Sequence, residues 1–113
     1  MTWQYFKDEE VKGLLDDVVY KLERARALFD APIIITSGYR DPVRNDEVGG
    51  VKDSAHTQGK AVDIRCADHD MQKKLIWALC CAGFRRIEAG TKHIHADVDD
   101  TKPTPAFWFG VSQ

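Results

Sequence analysis

The stretch His93-Ile94-His95-Ala96-Asp97-Val98 alternates ionisable and apolar side chains without a break. Successive side chains of a β-strand point to opposite faces. His93, His95 and Asp97 therefore share one face, and Ile94, Ala96 and Val98 share the other. The apolar face asks for a core. The other face carries three ionisable groups, which are costly to bury unless they are paired or bind a metal. A chain with this segment needs a sheet with one side packed and one side open to polar chemistry. A solvated outer face satisfies the same pattern, so the strand alone leaves both readings open.

A second cluster bears on that choice. In SAHTQGKAVDI, residues 54–64, His56 and Asp63 flank a glycine-bearing turn that runs into a strand over 60–66. One imidazole and one carboxylate make a weak signal. With His95 they make three, and catalytic zinc sites commonly take three protein ligands and keep a position for water. Three of the chain's four histidines lie in these two clusters. The fourth, His69, stands at a helix start and reads as an exposed polar residue.

The remaining elements supply a frame. Val11, Leu14, Leu15, Val18, Val19, Leu22 and Ala25 recur at helical spacing and predict a helix over 8–29, capped at Asp8. Residues 33–36, IIIT, predict a short buried strand, and 41–52 a polar loop. ADHDMQKKLIWALCCAG predicts a second helix, capped by Asp68 or Asp70 and ended at Gly83, with Met71, Leu75, Ile76 and Leu79 facing inward. Trp77, Cys80 and Cys81 read as core residues of that helix. FRRIEAG and KHIHADV predict two strands, and PAFWFGV a last one. Trp108 within it reads as aromatic core, with a groove-lining place as the other option. Helices mixed with hairpin-connected strands indicate an α+β fold, a mainly antiparallel sheet with helices packed on one side.

Size and charge narrow the function classes. A chain of 113 residues predicts a single domain over 1–113. With 16 basic and 18 acidic residues there is no excess of positive charge to suggest nucleic acid. Three cysteines without a C-x-x-C pair suit neither a disulfide framework nor a thiolate zinc knuckle. No apolar run approaches the roughly 20 residues that span a bilayer. The first residues, MTWQYFKDEE, do not read as a signal peptide. The expectation is a monomer made in the cytoplasm, with no nucleic-acid partner and no membrane insertion.

Ser54, His56, Gly59, Ala61 and Asp63 stand as SAHTQGKAVD, matching S-x-H-x-x-G-x-A-x-D. This resembles the motif of the zinc D-Ala-D-Ala carboxypeptidases and related peptidoglycan peptidases. HIH at 93–95 resembles the H-x-H element of one branch, and SGYR at 37–40 its strand-end motif with a substrate-binding arginine. The three occur in the family's order, over about residues 30–100. The resemblance implies a hedgehog/DD-peptidase-like fold and one zinc ion held by His56, Asp63 and His95. It implies that His93 is the partner histidine that handles a proton or stabilises the transition state, and that Arg40 binds a substrate carboxylate or supports the oxyanion.

Gly59 and Ala61 would then give a tight turn and clearance, and Ser54 would fix the loop presenting His56. Asp97 reads as a partner of a ligand histidine or an exposed carboxylate, not as a ligand. Arg40 could instead pair with Asp41 or Glu47. The E-x-x-H glutamate of other branches is missing, since Gly90 and Lys92 precede the histidines by three, and Glu88 has the wrong spacing. The implied activity is hydrolysis of a D-amino-acid-containing peptide bond of peptidoglycan, as carboxypeptidase or endopeptidase. The small size and the missing signal resemble a stand-alone phage endolysin that reaches the cell wall after release, with a bacterial enzyme using another export route as the other option. The alternative is a non-catalytic, zinc-stabilised binding module of the same fold.

Overall fold

In the computed structural model, which describes residues 3–50 and 54–110, the alternating segment is a strand with two unlike faces. Five strands form one sheet: β1 (Ile34–Ser37), β2 (Ala61–Arg65), β3 (Arg86–Ala89), β4 (His93–Asp97) and β5 (Ala106–Phe109), in the order β1-β2-β4-β3-β5. All neighbours are antiparallel except β3 and β5, which run parallel. The register sets the faces. Val62 pairs with Ala96 and Ile64 with Ile94, while Ile87 and Ala89 pair with the same two residues from the other side. These side chains enter one core with Val18, Val19 and Leu22 of α1 (Asp16–Phe29) and Leu75, Ala78 and Leu79 of α3 (His69–Ala82). The helices thus cover the apolar face of the sheet, and the fold is α+β as the sequence predicts. Asp63, His95 and Glu88 lie in one transverse row on the opposite face.

The first helix differs from its prediction. One 3-10 turn, Asp8–Glu10, precedes α1, which starts at Asp16 rather than Asp8. Gly13 breaks the run with φ +82°, where a Cβ would sit 2.5 Å from the Tyr39 ring. The Leu15 amide bonds Gly59 O at 3.0 Å instead of a helical carbonyl. Val11 and Leu14 still reach the core, which is why the periodicity hides the break, but Leu15 is exposed.

The loop predicted over 41–52 contains a helix, α2 (Pro42–Glu47). Asp41 caps it by accepting from the Arg44 amide at 2.9 Å, and Pro42 takes the first helical position. The end of that predicted loop, Val51 and Lys52, and Val111 of the last strand lie outside the described residues. α3 begins and ends where expected, at an Asp68 cap and a left-handed Gly83. Its outer face carries Trp77, Cys80 and Cys81, all exposed, which corrects their reading as core. Once Leu75, Ala78, Leu79 and Ala82 point inward, 3.6 residues per turn place positions 77, 80 and 81 outside the buried stripe. Trp108 is half-buried, on the polar face.

Candidate metal centre

The row on the polar face follows from strand register. Ser37 pairs with Asp63, Asp63 with His95, His95 with Glu88, and Glu88 with Trp108. His56 joins this row from a 3-10 turn, Ala55–Gln58. Ser54 caps the turn, its Oγ accepting from the His56 amide at 3.2 Å. Gly59 closes it in the left-handed region, with φ +71°, before the chain enters β2. His56 is buried, and its Nδ1–H donates to Gly38 O at 2.8 Å. That bond places one proton on Nδ1 and turns Nε2 toward Asp63 Oδ2, 3.3 Å away.

His95 is held in the mirror sense. Its Nε2–H donates to Asp97 Oδ2 at 2.7 Å, and its Nδ1 faces Asp63 Oδ1 at 2.9 Å. Two imidazoles thus aim one nitrogen each at one carboxylate. One ligand atom from each of His56, Asp63 and His95 lies within 4.8 Å of the other two. Two nitrogens and a carboxylate oxygen with their outer nitrogens already occupied form a donor set that fits zinc. Without an ion, protons hold the cluster together. Burial opposes ionisation of Asp63, but hydrogen bonds and charge from His56 and His95 outweigh it and keep the carboxyl below the usual range. Burial also works against the His95 cation, yet Asp63 and Asp97 push it up to about 9.

Asp97 is buried and built into the sheet. Its Oδ1 accepts from Arg86 Nε at 2.9 Å and from the Asp99 amide at 3.0 Å. Against the desolvation of burial, His95, the Asp99 amide and Arg86 hold its carboxyl below the ordinary value. The Arg86 guanidinium lies 5.0 Å from the centre of the Trp108 ring, and that ring stands 6.1 Å from His95. Trp108 therefore walls one side of the cluster.

His93 sits two residues from His95 on the same face. Its Nε2 is 3.6 Å from Glu88 Oε1, and its Nδ1 is buried without a hydrogen-bond partner among the described residues. Sequence spacing set Glu88 aside because chain distance was the wrong measure: β3 lies beside β4, so Glu88 is the cross-strand neighbour of His95. The β-period and a hairpin at Gly90 were the signals that could have found it.

Arg40 stands at the other end of the row. Its guanidinium donates to Ser37 Oγ and Asn45 Oδ1, each at 3.0 Å, and its amide bonds His56 O. The alternative pairing with Asp41 or Glu47 does not form: Asp41 caps α2, and Glu47 faces Arg44 at 3.9 Å. The fork is held by neutral partners, and neither balances its charge.

The peptidase M15 family matches the sequence over residues 5–97, a span that holds α1, β1, the His56 turn and β2 to β4. The chain belongs to the peptidase M15 family. Among solved structures, this M15 chain is similar to the L-Ala D-Glu endopeptidase ChiX of Serratia marcescens, with a TM-score of 0.65 and 20% identity. That alignment covers 80% of this chain and 84% of the other. No curated protein matches the sequence. The M15 assignment and the shared fold agree with the resemblance read from SAHTQGKAVD, SGYR and HIH.

Proposed function

We propose that this M15 peptidase is a zinc-dependent hydrolase of peptide bonds in bacterial peptidoglycan, cutting beside a D-amino acid in a stem peptide or cross-link. The observation that carries the proposal is the convergence of His56 Nε2, Asp63 and His95 Nδ1, each imidazole having its outer nitrogen committed to an oxygen. When bound, zinc supplies Lewis-acid polarisation of a carbonyl and a nucleophile at neutral pH. His56, Asp63 and His95 would hold it.

The other residues divide the remaining work. Arg40 takes an anionic group of the substrate in its fork and so orients the peptide along the row. His93 receives and returns a proton at Nε2, the nitrogen that faces Glu88 Oε1. Trp108 covers the side opposite Arg40 and limits water beside His95. The substrate class rests on the M15 assignment and on the name of the similar endopeptidase.

The test is purified protein on bacterial cell walls, with and without chelator, with products read by mass spectrometry. The expected result is release of peptide fragments that chelator stops and zinc restores. Absence of chelator-sensitive cleavage on walls of several chemistries would sink the proposal. Fragment masses distinguish loss of a terminal D-Ala from cleavage of an internal bond.

A further inference from the structure

We propose that Arg86 is a positioning residue for the metal centre: acting through Asp97, it holds the His95 ring so that Nδ1 faces Asp63. The inference rests on the zinc reading above. It concerns a residue whose partners are Asp97, Pro103 and Trp108 rather than His56, Asp63 or His95.

The argument starts from the sheet. Arg86 of β3 and Asp97 of β4 are cross-strand partners, so their side chains leave the sheet side by side on the polar face. Both are buried, a place where an arginine is held only if its donors are used. Arg86 Nε donates to Asp97 Oδ1 at 2.9 Å, Nη1 donates to Pro103 O, and the guanidinium lies over the Trp108 ring. Three directions are thereby taken up, and the guanidinium cannot turn.

The consequence is carried by the carboxylate. Asp97 has two oxygens with separate duties. Oδ1 is occupied by Arg86 and the Asp99 amide, so only Oδ2 is presented to His95. An ionised carboxylate accepts and does not donate. His95 must therefore carry its proton on Nε2, and a neutral ring then has its lone pair on Nδ1, the atom 2.9 Å from Asp63. Without Arg86 the Asp97 carboxylate could swing on its side-chain bonds and carry the His95 ring away from Asp63. Arg86 removes that freedom.

A lysine at 86 would keep a cation beside Asp97 but lose the fork and the guanidinium over Trp108. A methionine would remove both charge and donors. The experiment uses the full chain as wild type, Arg86→Lys and Arg86→Met. It measures zinc affinity by competition with a chromophoric chelator, the melting temperature with and without zinc, and side-chain 15N–1H spectra of the zinc-loaded protein.

The expected result is a loss of zinc affinity of about 10- to 100-fold in the Met variant, the range typical for outer partners of metal-bound histidine. The loss in the Lys variant is smaller. The stabilisation by zinc shrinks in both, and the His95 Nε2–H signal broadens or shifts. Three results would overturn the inference: wild-type zinc affinity in both variants, an equal drop in melting temperature with and without zinc, or failure of both to fold in either form. The last two would make Arg86 a residue of the sheet alone. Failure of wild type to bind zinc would instead remove the reading beneath it, and the two failures are told apart by the wild-type titration.

Discussion

The Asp63 carboxylate stands between two imidazoles, with Oδ1 2.9 Å from His95 Nδ1 and Oδ2 3.3 Å from His56 Nε2. One carboxylate thus faces two inward nitrogens, an arrangement in which an ion and a proton compete for the same lone pairs. Replacing Asp63 by Asn keeps the shape, removes the charge and brings two amide hydrogens toward the cluster. Zinc affinity is expected to fall by more than the roughly 100-fold that an outer partner costs, with turnover lost alongside. Chelator competition measures the first, and wall digestion the second. Unchanged zinc affinity in Asp63→Asn would place the metal elsewhere.

The same competition gives a pH dependence with a definite sign. In the metal-free protein His95 is raised from 6.5 to about 9, so its contribution to stability is complete below 6.5 and is lost as pH rises through 9. Asp63 acts in the opposite sense, because its folded value is depressed below 3.8. Its contribution is present above 3.8 and is lost as pH falls below that. Melting temperatures of metal-free protein should therefore fall between pH 6.5 and 9. Zinc must displace the His95 proton, so its affinity should climb over that window and then level off. An affinity flat across this range would show that His95 is not a ligand.

How much of this was legible in the sequence depends on whether a feature is local. His93, His95 and Asp97 share a face because alternation is a property of one strand, and the Ser54 cap and the Gly59 turn are likewise local. The break at Gly13 was hidden because Val11 and Leu14 are buried whether or not the helix continues, and the Leu15 amide replaces the helical bond with one to Gly59 O, 44 positions along the chain. Asp41-Pro42 was a readable helix start that the polar composition of 41–52 obscured. Glu88 and Arg86 are missed by distance along the chain, since their partners lie across the β3–β4 register, and only folding the two strands about the hairpin at Gly90 brings them together. Trp108 reaches the cluster only because β5 lies parallel beside β3, a pairing that no hairpin pattern announces.

Gly59 joins the His56 turn to β2 at φ +71°, and a Cβ there would stand 2.5 Å from the carbonyl oxygen of Gly13. Both the conformation and the contact oppose a side chain, and backbone yields less readily than a side-chain tip. Gly59→Ala should destabilise the protein by at least about 1–3 kcal/mol, the range for strained backbone positions. It should also weaken zinc binding, because the shift moves His56 relative to Asp63. Denaturant unfolding of the metal-free variant reads the first effect. A variant of wild-type stability would mean that the two loops separate without cost.

His93 and Glu88 can be separated from the metal ligands by what their variants retain. His93→Ala removes the nitrogen assigned to proton handling and leaves the three converging ligands in place. Zinc affinity should stay near wild type, while kcat falls by about 10²- to 10⁴-fold, the usual yield of general acid–base catalysis. Glu88→Gln should lower kcat by a smaller factor, because His93 remains but loses its carboxylate 3.6 Å away. Full activity in His93→Ala would remove it from the reaction.

Arg40 supplies the last test, because its proposed role is to engage an anionic group of the substrate. Its guanidinium is held by Ser37 and Asn45, neither of which neutralises it. A substrate carboxylate meeting that fork gains charge-assisted hydrogen bonds of about 1.5–3 kcal/mol. Arg40→Ala should therefore lower kcat/KM by about 10- to 150-fold. Arg40→Lys keeps the charge without the paired donors and should fall between Ala and wild type. Zinc affinity should not change in either, because neither variant touches a ligand. If Arg40 also supports the oxyanion, the loss appears in kcat; if it only anchors a carboxylate, it appears in KM, and a substrate with that carboxylate amidated should be cut by wild type as poorly as the parent is cut by Arg40→Ala. Equal cleavage of parent and amidated peptides by wild type would remove the anchoring role.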